Sequence, residues 1–150
     1  MKYTRKATKM LIAGAVAVAT VIGMSGTASA NSDPWALHQG ETLNVGDSII
    51  TPIGDFNRYE LIMQADGNLV EYLWSGDPSA GQQSRTPIWA TGTNGTGADH
   101  ATYQQDGNFV VYAGSWAPWA SNTVHGGGST VDISTQGSLY VGYTRVFCRC

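Results

Sequence analysis

The chain has 150 residues, 42% of them hydrophobic and 13% charged, with 19 glycines and two cysteines. All three lysines fall within the first nine residues, so from Asn31 onward four arginines face eleven acidic residues, a net charge of −7. A surface of that sign repels phosphate backbones and anionic membranes, which argues against nucleic acid as a partner.

Lys2, Arg5, Lys6 and Lys9 form a basic segment ahead of the apolar run Met10–Ile22, and Ala28-Ser29-Ala30 is an A-x-A cleavage signature. This predicts a secretory signal peptide over residues 1–30 and a secreted mature chain over residues 31–150. The apolar run is shorter than the roughly 20 residues a membrane-spanning helix needs, so no membrane insertion is expected. About 120 mature residues make one domain, enough to bury roughly two thirds of its unfolded surface. No helical periodicity follows the leader. Short alternating runs punctuated by Gly, Asn-Gly and Asp-Gly predict an all-β fold.

Pro34-Trp35-Ala36 echoes Ile88-Trp89-Ala90 and Pro118-Trp119-Ala120 further on. Trp35 is therefore a candidate for a central position that the third part of the chain lacks, with local packing under the N-terminus as the alternative. Trp89 and Trp119 read as core.

Gln64–Tyr72 reads QADGNLVEY. Asp66-Gly67 within apolar alternation is a strong hairpin signal. A three-residue turn Ala65-Asp66-Gly67, with Gly67 left-handed, pairs Gln64 with Asn68, Met63 with Leu69 and Ile62 with Val70. Because paired residues share a face and neighbours alternate, Gln64, Asn68, Val70 and Tyr72 stand on one side, with Asp66 at the turn. Leu61, Met63 and Leu69 stand on the other. One face is an apolar anchor, and the other is a compact set of hydrogen-bonding groups.

Forty residues later Gln104–Tyr112 reads QQDGNFVVY, with Gln104, Asp106, Asn108, Val110 and Tyr112 at identical relative positions. Core packing requires only that the apolar face, here Tyr103, Phe109 and Val111, recur. Recurrence of the polar face points to binding. A third copy at Val131–Val141 keeps the core face as Val131, Ile133, Leu139 and Val141. Its other face has become Ser134, Gln136, Ser138, Tyr140 and Gly142, so it reads as scaffold.

The doubled motif resembles the QxDxNxVxY signature of the bulb-type (monocot, snowdrop-like) mannose-binding lectins. The similarity extends to GETL at Gly40–Leu43, LIMQADGNLV at Leu61–Val70, PIWATGT at Pro87–Thr93 and PWASNT at Pro118–Thr123, and covers most of the chain from Leu37 to Tyr143. It implies a β-prism II of three four-stranded sheets about a pseudo-threefold axis, binding mannose or mannose-containing glycans without metal, cofactor or catalysis. It also implies roles. Asp66 and Asn68 take the axial 2-hydroxyl, Gln64 the 3-hydroxyl and Tyr72 the 4-hydroxyl, while Val70 touches ring carbons. Asp106, Asn108, Gln104, Tyr112 and Val110 repeat those roles. In plant relatives a C-terminal strand carries the third Trp and can be exchanged between subunits. Here Thr144–Cys150 replaces that ending, and a homodimer stays open. The family's internal disulfide is absent, because Gly67 stands where plant members carry a cysteine.

The remaining stretches add little chemistry. Leu73–Ile88 reads as a surface loop placed to extend or cover the first site. Trp74 and Trp116 follow the motif tyrosines and could pad a sugar ring or simply pack. Asn94-Gly95-Thr96 is a formal glycosylation sequon that reads as a turn, and Gly126-Gly127-Gly128 reads as a flexible connector. His38, His100 and His125 lack metal-ligand spacing and a nearby nucleophile motif, and no paired carboxylates recur, so no enzyme is expected. Cys148 and Cys150 could close a small ring, pair with another chain or remain thiols. The rival to a lectin is a β-prism module that binds a protein surface.

Overall fold

The computed structural model describes residues 29–150. The expected leader lies outside them apart from Ser29–Ala30.

Ser29–Ala30, the end of the expected leader, form β1, and the segment after it makes three short strands: β2 (Ala36–His38), β3 (Glu41–Asn44) and β4 (Ser48–Pro52). The first hairpin region supplies β5 (Arg58–Met63), β6 (Leu69–Ser75) and β7 (Ser84–Ala90). The second supplies β8 (His100–Tyr103), β9 (Phe109–Ala113) and β10 (Trp116–Ala120), and the third β11 (Thr130–Ile133), β12 (Leu139–Val141) and β13 (Thr144–Phe147).

These form three antiparallel four-stranded sheets, β4-β5-β6-β7, β3-β8-β9-β10 and β2-β11-β12-β13. The β-prism expectation is met. The second sheet gains a fifth strand where β1 pairs in parallel with β3. That strand lies ahead of the expected cleavage point, so the three four-stranded sheets are complete without it.

Strands β2, β3 and β4 each serve a different sheet. Leu37, Leu43 and Ile49, spaced six apart in the chain, sit opposite Val131, Ala101 and Leu61, which are equivalent positions of the three copies. All six are fully buried. With Met63, Leu69, Tyr103, Phe109, Ile133 and Leu139 they make one central core, to which each sheet contributes its apolar face. Burying such side chains is worth about 1.5–3 kcal/mol each, which fixes strand register because a one-residue slip would expose them.

Trp89 and Trp119 meet edge to face, their ring centres 5.6 Å apart. The third partner is not Trp35, which is 62% exposed. Phe147 on β13 fills that place, stacked 6.3 Å from Trp89. The reason is topological: Trp89 and Trp119 lie on β7 and β10, which pair with β6 and β9, and the equivalent strand of the third sheet is β13, paired with β12, whereas β2 borders the opposite edge, on β11. The replacement ending thus forms the fourth strand within its own chain, and Cys148 and Cys150 are bonded to each other.

Leu73–Ile88 is also not a loop. Strands β6 and β7 continue to the pair Ser75–Ser84, leaving only a short connection with a single 3-10 turn at Pro78–Ala80. Gly, Ser and Pro content signalled a break, but Tyr72, Leu73 and Trp74 opposite Pro87, Thr86 and Arg85 keep the alternation going. Pro87 is tolerated because β7 is an edge strand.

Candidate functional site

All three hairpins close in the same way. In the first, the N–H of Gln64 donates to the Asn68 carbonyl at 2.9 Å and that of Gly67 to the Gln64 carbonyl at 3.1 Å, with Gly67 at φ +88°. A Cβ at Gly67 would lie 3.0 Å from the Ala98 carbonyl oxygen, so glycine is needed for space as well as for conformation. The pairs Met63–Leu69 and Ile62–Val70 form as the alternation predicts.

Internal hydrogen bonds then decide what each polar side chain can offer. Asp66 Oδ1 accepts the N–H of Asn68 at 3.0 Å, an Asx-turn bond that leaves Oδ2 as an outward acceptor. Asn68 Oδ1 accepts the Thr93 N–H and the Thr91 hydroxyl, each at 3.1 Å. A backbone N–H can only donate, so the Asn68 oxygen faces inward and its amide nitrogen is left as a donor. Gln64 Nε2 donates to the Tyr72 hydroxyl at 2.7 Å, leaving Gln64 Oε1 as an acceptor and the phenolic proton as a donor. Val70, 3% exposed, is the floor rather than a wall.

The second hairpin repeats these bonds. Asp106 Oδ1 accepts from Asn108 N–H at 2.9 Å, and Asn108 Oδ1 accepts from Thr123 N–H at 3.2 Å and Ser121 Oγ at 3.1 Å. Gln104 Nε2 donates to Tyr112 at 2.5 Å, and Val110 is again the floor. Each hairpin therefore presents alternating acceptors and donors over a small apolar floor. That pattern complements neighbouring hydroxyls, each of which both donates and accepts. Among the described residues no group of His, Cys, Asp or Glu could hold a metal ion.

No family model matches the sequence. Plumieribetin, a B-type lectin of Scorpaena plumieri, is 34% identical over 91 residues, which make up 60% of this chain and 68% of that protein. A mannose-specific lectin of Narcissus pseudonarcissus is 40% identical over 78 residues, 51% of this chain and 58% of its own length. The solved mannose-specific agglutinin of snowdrop (Galanthus nivalis), complexed with methyl-α-D-mannoside, is 33% identical with a TM-score of 0.56, over 73% of this chain and 90% of that one. The chain belongs to the bulb-type, or B-type, lectin family. It is a carbohydrate-binding lectin and not an enzyme.

The lectin's third hairpin keeps the turn, with Ser134 N–H donating to the Ser138 carbonyl at 2.9 Å and Gly137 at φ +78°. Its polar side chains serve the turn itself: Ser134 Oγ accepts from the N–H of Ser138 at 3.1 Å and of Gln136 at 3.3 Å. Where the other copies carry Tyr72 and Tyr112, a Cβ on Gly142 would lie 1.7 Å from the Gly127 carbonyl oxygen. The Gly126–Gly128 stretch is thus packed backbone, not a loose connector. Asn94-Gly95-Thr96 is a turn as expected, with Gly95 N–H donating to the Asp66 carbonyl at 2.8 Å.

Several residues of the lectin escaped the sequence reading. Thr91, Thr93, Ser121 and Thr123 orient the two site asparagines, and the matched stretches PIWATGT and PWASNT carried that signal. Beside Tyr72, the Arg85 guanidinium lies 3.7 Å from the ring centre, whereas Tyr112 stacks on His100 at 5.3 Å. Trp74 packs, with Nε1 donating to Glu60 Oε2 at 2.7 Å, while Trp116 is 58% exposed.

Glu71 is the outlier. It occupies the core-facing position of Val111 and Val141, is fully buried, and neither carboxylate oxygen has a hydrogen-bond partner. Burial pushes its carboxyl up to about 8, against the opposing pull of Arg149. Arg149 itself donates to the Tyr59 hydroxyl.

Proposed function

We propose that the lectin is a secreted protein that binds mannose and mannose-terminated glycans at two equivalent sites per chain, Gln64-Asp66-Asn68-Val70-Tyr72 and Gln104-Asp106-Asn108-Val110-Tyr112, and that its third hairpin is a scaffold. One observation carries this reading. Both hairpins are left with the same unsatisfied set, an Asp oxygen, an Asn amide, a Gln oxygen and a Tyr hydroxyl, while the third is left with none of it.

An axial hydroxyl flanked by an equatorial one suits that set. The Asp oxygen accepts from the 2-hydroxyl and the Asn amide donates to it, Gln serves the 3-hydroxyl, and Tyr the 4-hydroxyl. Charge-assisted bonds to Asp are the strongest of these. A sugar lacking the axial hydroxyl leaves Asp and Asn unpaired, which is how the site discriminates. The mannoside-bound snowdrop relative supports this choice of sugar.

Titration with methyl-α-D-mannoside should give two equivalents per chain, with a glycan array showing mannose-dependent signal. Silence across the array would favour the rival, a prism that docks on protein.

A further inference from the structure

We propose that the first site continues into a subsite for an anionic group, a phosphate or carboxylate carried by the sugar next to the bound mannose. The inference rests on the mannose reading of that hairpin.

The second site has no equivalent ground. Strands β9 and β10 turn back at Ala113 opposite Trp116, one residue beyond Tyr112. Strands β6 and β7 run on past Tyr72, adding a further outward row in which Arg58, Trp74 and Arg85 lie side by side across three strands. The Arg85 guanidinium bridges the two rows, 3.7 Å from the Tyr72 ring centre and 5.0 Å from that of Trp74. Two residues along a strand advance about 7 Å, so Trp74 itself stands about 7 Å beyond Tyr72. That is close to the step from one pyranose ring to its neighbour.

The chemistry of the row is cationic. The Arg58 guanidinium sits 4.4 Å from the Trp74 ring centre and that of Arg85 5.0 Å from it. Arginines thus crowd the indole, which makes it a poor platform for a neutral sugar ring. Arg85 is balanced by Glu60 at 3.0 Å. Arg58 has no ion-pair partner among the described residues. The row therefore carries one uncompensated positive charge, on a chain whose net charge from Asn31 onward is −7 and which has only four arginines there. Two guanidinium groups held against an aromatic ring are pre-oriented donors, and planar donor pairs suit carboxylate and phosphate oxygens.

The test uses the full protein carrying Asp106→Asn, so that only the first site reports. Three probes are titrated: α-mannobiose, the same disaccharide with a phosphate monoester on its second residue, and a mannosyl-glucuronic acid disaccharide. At least one acidic probe should bind about five- to tenfold more tightly than mannobiose. The advantage should shrink at high salt and vanish in Arg58→Gln, whose affinity for mannobiose stays unchanged. Gain from the phosphate alone, or from the uronate alone, identifies which anion the row serves. The salt comparison needs no change in the row, so it decides even where Arg58→Gln fails to fold. Mannobiose binding with no acidic advantage overturns this inference and leaves the mannose reading standing. Absence of mannobiose binding overturns both.

Discussion

The side-chain oxygen of Asn68 accepts the backbone N–H of Thr93 at 3.1 Å, and Asn108 holds Thr123 in the same way at 3.2 Å. One amide thus ties the hairpin turn to the segment just past the end of β7, or of β10 in the second copy, and, by the same bond, turns its nitrogen toward the ligand. Fold and recognition share a residue but use different atoms.

This separation can be measured. Asn68→Asp keeps the inward acceptor and loses only the outward donor, so the melting temperature should hardly move while mannose binding at the first site is lost. The expected loss is on the order of 1–3 kcal/mol, partly from placing a second acceptor beside Asp66. Calorimetry of both properties on one sample decides it. Unfolding would show that the amide nitrogen is structural, and unchanged binding would remove Asn68 from the site.

Asp106→Ala should remove binding at the second site and leave the fold intact, because the side chain is exposed at a turn and its loss opens no cavity. Losing charge-assisted bonds costs on the order of 1.5–3 kcal/mol, enough to silence a weak sugar site. Titration should fall from two equivalents to one.

The third hairpin should be inert. Ser134→Ala and Ser138→Ala are expected to leave two equivalents per chain, and a count of three would mean the degenerate face had been misjudged. Gly142→Tyr should not rebuild a site there. It forces a side chain into the Gly127 carbonyl at a residue with φ +58°, so destabilisation of about 1–3 kcal/mol or more is the expected result by denaturant titration.

Glu71 sets a pH dependence. The folded chain holds its proton up to about 8, whereas the unfolded chain releases it near 4.5. Between those values the folded state binds more protons, so this group makes stability fall as pH rises, by up to about 1.4 kcal/mol per unit. Glu71→Val, the residue found at position 111, should raise the melting temperature and flatten that slope. An unchanged slope in the variant would assign the effect elsewhere.

Useful affinity should come from valency. One shallow face makes few hydrogen bonds, and a millimolar constant corresponds to only about −4 kcal/mol. Two sites on one rigid domain can add a factor of roughly 10² to 10⁴ on a multivalent surface. Disabling Asp66 or Asp106 singly should therefore reduce retention on mannan far more than twofold. Equal retention of a single-site variant and its parent would rule out joint action.

The sequence by itself determined the hairpins, their register and the polar set on each, because period-two alternation and an Asp-Gly turn act over a few residues. It also showed the third copy to be altered, since Gly142 replaces a tyrosine in plain view. Assigning Leu37, Leu43 and Ile49 to three different sheets was beyond it, although their six-residue spacing was there to see; each short strand finds its partner only through the shared core. The tertiary structure likewise chose Phe147 over Trp35 as the third central ring, by placing β2 beside β11 and leaving the place beside β12, equivalent to those of β7 and β10, to β13. Composition misread Leu73–Ile88 as a loop because glycine and serine mark turns locally, while cross-strand pairing of Trp74 with Arg85 is a long-range gain that overrides them. Glu71 was the least legible residue. Its place in the alternation assigns it to the core, yet only the packed structure shows that its carboxylate finds no hydrogen-bonding partner there, because burial is a property of the assembled sheets.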